Sequence, residues 1–131
     1  MKITPNYGAV LAIIFVALSV RTVRLRRRNR IAVGDGGNVE LMRAMRVHAN
    51  FAEYVPMTLL LIYMLESMTG ISVLVHGLSV CLVAGRIAHA YGVSQVSENY
   101  RYRVFGMAMT FAALVGAALG ILLTGALGIV T

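Results

Sequence analysis

From Arg43 the sequence runs Arg43-Ala-Met-Arg46-Val-His48-Ala-Asn50-Phe-Ala-Glu53-Tyr54-Val-Pro56. At about 3.6 residues per turn, Arg46, Asn50 and Glu53 fall on one helical face, and Arg43 stands a turn earlier on the same side. The stripe offers fixed cations, a two-way amide and a carboxylate. Arg86 and His89, three residues apart, and the pair Arg101 and Arg103 add further basic groups. Cations outnumber anions, so the set suits a small polyanion or a developing negative charge. Glu53 and Asn50 add an acceptor for an ammonium. A ligand with carboxylates, an amine and peptide groups fits that inventory.

Each group also has a plainer reading. Arg43 or Arg46 can neutralise Glu53 or Glu40, with structural value only. The arginines at 26, 27, 28 and 30, and those at 101 and 103, can reach to anionic lipid headgroups. His48 lies about 200° from Arg46 and so off the main face. His76, close to Ser72 and Ser79, reads as an interhelical hydrogen-bonding residue. No histidine–carboxylate spacing makes a metal site. Cys81 is the single cysteine, which excludes an intrachain disulfide.

The elements that must position these residues are membrane helices. Of 131 residues, 59% are hydrophobic and 13% charged, against roughly 25% charged in soluble globular proteins. With a mean hydropathy of +0.79, a soluble nuclease, kinase or two-domain enzyme is excluded. Four stretches approach the roughly 20 apolar residues that span a bilayer: Tyr7–Val23, Phe51–Met68, Ile71–Val93 and Val104–Val130. The expected fold is an all-α integral membrane protein, a four-transmembrane-helix bundle forming one domain over residues 1–131.

The first span is read as a retained helix rather than a signal peptide. Its positive charge follows the apolar stretch, and Leu18-Ser19-Val20-Arg21 lacks a small-x-small cleavage pattern. The net charge of +7 raises the question of nucleic acid. However, the basic residues concentrate between Arg24 and Arg46 and dip into the membrane, with no aromatic–basic interleaving on a soluble face. No nucleic-acid partner is expected.

The loop after span 1, holding Arg24, Arg26, Arg27, Arg28 and Arg30, shares a side with the loop leading to Arg101 and Arg103. The positive-inside rule puts that side in the cytoplasm and both termini opposite. The span 2 stripe, Arg86 with His89, and Arg101 with Arg103 then lie at similar depth and can converge. Gly34-Asp35-Gly36-Gly37-Asn38 reads as a loop tip, with Asn38 capping a helix from Val39 or Glu40. Gly116 and Gly120, among alanines of span 4, suit close helix packing.

From about Thr22 through span 4 the chain resembles the MAPEG family, membrane-associated proteins in eicosanoid and glutathione metabolism. The residues that carry the resemblance are Thr22-Val23-Arg24-Leu25-Arg26, Arg46-x-His48-x-Asn50-x-x-Glu53-Tyr54-x-Pro56, and Gly85-Arg86-Ile-Ala-His89. The resemblance implies a homotrimer with a glutathione site at each subunit interface near the cytoplasmic face. By similarity Arg24, Arg46, Asn50, Glu53, Tyr54, Arg86 and His89 bind glutathione. The family's activating arginine stands at the start of helix 4, which points to Arg103 first and Arg101 second.

Two departures narrow the expectation. Val93 stands where lipid-handling members often have a tyrosine, and Val104 where the prostaglandin E synthase pattern has a serine. Both point away from eicosanoid chemistry. The short loops resemble the bacterial branch, hence an inner membrane. The expected function is a glutathione transferase or peroxidase acting on a lipophilic small molecule from the bilayer. The alternative is a non-catalytic scaffold or regulator of the same fold that binds anionic lipid. A small transporter is disfavoured because no inverted repeat is present.

Overall fold

The structure, a computed structural model, describes residues 2–128. It contains α1 (Thr4–Asn29), α2 (Val39–Thr69), α3 (Ser72–Ser94) and α4 (Tyr100–Leu127), and no strand among the described residues. The helices run alternately up and down. One end of the bundle therefore gathers the C-termini of α1 and α3 with the N-termini of α2 and α4.

Local chemistry sets each boundary. The Asn38 side chain accepts from the Leu41 N–H at 2.8 Å and starts α2, as its sequence position suggests. Gly70, at φ 62°, closes α2 in the left-handed conformation that glycine adopts without strain. Only Gly70 and Ile71 separate α2 from α3. Asn99 caps α4 by accepting from the Arg101 N–H at 3.1 Å.

Two boundaries differ from the hydropathy reading. Arg24, Arg26, Arg27 and Arg28 lie on the last turns of α1 rather than in a loop. Arginine is a good helix former, and cations near a helix C-terminus are favoured by its dipole. Helix α4 begins at Tyr100, four residues before Val104, because a polar first turn outside lipid does not register as hydrophobic.

By length and composition α1, α3 and α4 can each cross a membrane. Helix α2 has 31 residues, about 46 Å at 1.5 Å per residue, but Arg46, His48, Asn50 and Glu53 lower its apolar character. Buried Leu11, Phe51, Val55, Ile62, Val75, Leu82, Ala113 and Ala117 form the core. The outer faces expose large apolar side chains such as Ile13, Val73, Leu122 and Leu123. So much apolar surface suits a lipid surrounding and not water.

Helices α3 and α4 make the most extensive packing, while α1 packs on α2 and, less, on α3. The closest approach of α3 and α4 is at Gly85, Gly92 and Gly106 rather than at Gly116 and Gly120. A Cβ on Gly106 would stand 2.5 Å from the His89 backbone N, and one on Gly92 would stand 2.9 Å from the Arg103 N. At Gly116 and Gly120 the neighbours are the flexible ends of Leu78 and Leu65.

At the far end α1 has no side-chain cap of its own. Buried Glu66 of α2 supplies one, accepting from the backbone N–H of Ile3 and, at 3.0 Å, of Thr4. Lys2 donates to Ser67 Oγ at 3.2 Å, and Tyr7 and His76 share a hydrogen bond of 2.8 Å between α1 and α3.

Candidate functional site

Where α2, α3 and α4 meet at the basic end of the bundle, a cavity of about 250 Å³ opens. Arg43, Arg46, Asn50, His89, Glu98 and Arg103 line it, together with Met42 and Val93. Three helices supply all of these residues but Glu98, which lies on the α3–α4 connection. The stripe on α2 gives Arg43, Arg46 and Asn50. The last turns of α3 give His89. The first turn of α4 gives Arg103, held near His89 and Val93 by the glycine contacts.

Behind the cavity Arg86 is almost wholly buried, at 1% exposure. Its guanidinium donates from Nε to Thr110 Oγ1 at 2.9 Å, and from Nη1 to Asn50 Oδ1 at 2.8 Å. A third contact runs from Nη2 to Met107 Sδ at 3.4 Å, and the Tyr54 ring lies 5.9 Å from Cζ. The Thr110 hydroxyl donates in turn to the Gly106 carbonyl at 2.8 Å. Arg86 thus joins α2 to α4 through α3 and fixes the Asn50 amide: Oδ1 is engaged, and the NH₂ group remains to be offered to a ligand.

Glu98, on the α3–α4 connection, is the carboxylate of this site. It pairs with Arg43 Nη1 at 3.0 Å and with Arg103 Nη1 at 3.5 Å, its side chain only 8% exposed. Arg43 Nη1 also donates to the Val93 carbonyl at 3.2 Å. The partner of Arg43 is therefore neither Glu53 nor Glu40. Helical periodicity had no means of revealing Glu98, which lies in a loop 55 residues away from Arg43. The available signal was its place five residues before Arg103, beside a surplus of arginines.

The remaining expected residues lie apart from the cavity within one chain. Tyr54 is half-buried, edge-on to Phe111 at 5.5 Å between centroids. Arg24 is exposed and lines a separate cleft with Arg21 and Glu40. Glu53 is exposed, and Arg101 faces outward on the first turn of α4. The structure brings Arg46, Asn50, His89 and Arg103 around one space, with Arg86 and Tyr54 behind it. Arg24, Glu53 and Arg101 stay outside. Among the described residues no group of three His, Cys, Asp or Glu side chains is placed to hold a metal ion.

Long helices with apolar outer faces and a cation-rich cavity at one end define an all-helical, multi-pass membrane protein. The chain belongs to the MAPEG family, whose sequence profile matches residues 4–123 and so takes in α1 as well as the motifs of α2 and α3. It is 37% identical over 108 residues to the inner membrane protein YecN of Escherichia coli strain K12, a match spanning 82% of this chain and 81% of that protein. The protein of the same name from Escherichia coli O6:H1 strain CFT073 matches to the same extent.

Proposed function

We propose that the chain binds glutathione in this cavity and stabilises its thiolate for attack on a lipophilic electrophile or hydroperoxide reaching the site from the bilayer. The observation that carries the reading is the convergence of Arg43, Arg46, Asn50, His89 and Arg103 on one space. Guanidinium groups suit the two carboxylates of the tripeptide, and the Asn50 amide suits its peptide groups. At about 250 Å³ the cavity is smaller than the roughly 300 Å³ at which ordinary small-molecule sites begin. One chain encloses only part of the ligand.

The rest comes from neighbouring copies in a homotrimer. Exposed Glu53 and Arg24 complete the site from across a subunit interface, and a carboxylate on a spanning helix is cheaper against protein than against lipid. The relatives named as inner membrane proteins support a bacterial inner membrane, and the positive-inside rule favours a cytoplasmic arginine-rich end.

A free thiol with a pKa near 8.5 is only a few per cent ionised at neutral pH, and the thiolate is the nucleophile. Lowering that pKa by about 2 units needs roughly 2.7 kcal/mol of preference for the charged form, within reach of a charge-assisted hydrogen bond at a partly desolvated site. We assign that role to Arg103, which lines the cavity from the first turn of α4. In the transfer reaction the sulfur forms a bond to the electrophilic carbon and the leaving group departs with the bonding pair.

The test is thiolate absorbance on adding glutathione at neutral pH to detergent-purified protein. The native chain and Arg101→Ala should show the signal, and Arg103→Ala should lose it. Loss only in Arg101→Ala transfers the role to that residue. Absence of both signal and calorimetric binding in the native protein favours the scaffold reading, which the exposed arginines at the end of α1 support as an anionic-lipid contact.

A further inference from the structure

Glu98 has no place in the glutathione reading so far. A buried carboxylate set among cations is neither a ligand for a polyanion nor a neutral wall. Its two oxygens are treated differently. Oε2 is held at 3.0 Å by Arg43, which is itself anchored to the Val93 carbonyl. Oε1 is buried without a hydrogen bond, its contact being the 3.5 Å ion pair to Arg103. The Arg103 side chain is 52% exposed, whereas that of Arg43 is 19% exposed. One half of the triad is a clamp that fastens the α3–α4 connection to α2. The other half is longer, and its arginine is half-exposed.

We infer that Glu98 is the internal counter-anion of the cavity: it occupies Arg103 while the site is empty and yields it to an incoming anion, a carboxylate or thiolate of the ligand. The inference rests on the function proposed above and adds its regulation, since the ligand must compete for Arg103 with a carboxylate already in place. Charge gives such a residue a role. Arg43, Arg46, Arg86 and Arg103 crowd around the cavity and its floor, and among the residues lining it only Glu98 is acidic. Without that carboxylate the arginines repel one another across a partly desolvated space. With it, the arrangement holds when empty and gives up only its weaker contact on binding. The acidic groups elsewhere on these elements do not substitute for it. Glu40 lines the separate cleft with Arg24, Glu53 is exposed, and Glu66 caps α1 at the other end.

Glu98→Gln tests this directly, because the amide oxygen still accepts from Arg43 while the charge opposing the ligand is gone. Purified full chain, native and variant, is titrated calorimetrically with glutathione and, separately, with inorganic phosphate. Both anions should bind about two- to fivefold more tightly to Glu98→Gln, the range a half-exposed ion pair allows. The bound thiol should also ionise at lower pH, by about half a unit, a shift that loss of a purely structural clamp would not produce.

Unchanged or weaker binding of both probes overturns the inference. Equal glutathione binding in both proteins leaves the glutathione site standing without it. Tighter phosphate binding by the variant, with no glutathione binding by either protein, keeps the counter-anion and removes glutathione. Binding of neither probe to either protein ends both. Should the variant fail to fold, infrared difference spectra of the native chain on adding phosphate decide: a carboxylate band shift supports the exchange, and an unmoved carboxylate region refutes it.

Discussion

Arg86 occupies the position where a charge is most expensive, and its partners among the described residues are neutral: Asn50, Thr110 and Met107. A buried cation satisfied by neutral acceptors leaves positive potential in the adjacent cavity, and the cavity wall inherits it. Asn50→Ala deprives that charged donor of its acceptor. It should lower stability by about 1.5–3 kcal/mol, read as a fall in thermal midpoint in detergent. Arg86→Lys should also destabilise, because a single ammonium cannot reproduce the planar guanidinium fork whose separate nitrogens meet Thr110 and Asn50.

Residue types in α2 and α3 made Asn50 and Arg86 legible in the sequence as members of a polar site. Their bond to each other was not, because it joins residues 36 apart, and no spacing rule covers contacts between separate helices. Glu98 escaped for a related reason: loop residues carry no period. Glu53 shared a face with Asn50 on the helical wheel, yet α3 and α4 cover only part of that face and Glu53 lies beyond their edge.

At the scale of elements, the α3–α4 pair sets the position of Arg103. Gly106→Ala drives a methyl group to 2.5 Å from the His89 backbone. It should cost about 1–3 kcal/mol or more through overpacking and move Arg103 off the cavity, read as loss of both thermal stability and glutathione binding. Gly116→Ala meets only the end of Leu78 and should stay close to native in both measurements. The sequence pointed to Gly116 and Gly120 because their spacing resembles a packing motif. The backbone contact lies instead at glycines on two different helices, whose pairing depends on the register between them. Existence and order of the helices were readable from apolar runs; the polar end of α1 at Asn29 was not, since hydropathy reports lipid contact and a helix continues past it.

For the whole molecule, charge is distributed by end. The arginines of α1, α2 and α4 gather where the cavity opens, while at the opposite end Lys2 donates to the Glu66 backbone carbonyl. In the proposed trimer each cavity is completed by the exposed face of a neighbour. Native mass spectrometry from detergent should therefore show three copies. Glu53→Gln should weaken glutathione binding without the loss of stability expected of Asn50→Ala, since Glu53 is exposed within its own chain. Unchanged binding in Glu53→Gln would remove that residue from the site.

The two-residue connection between α2 and α3 bears on how the protein is made. Helix α2, with its arginines, histidine, asparagine and glutamate, is a poor substrate for partition into lipid by itself, whereas α3 enters readily. With only Gly70 and Ile71 between them, the two leave the ribosome as one hairpin, and the strongly apolar helix carries the polar one across. A chain truncated at Met68 should leave α2 accessible to protease on the side where synthesis occurs, while one extended through Ser94 should protect it. The polar stripe that makes the site possible is thus admitted to the membrane by the helix that follows it.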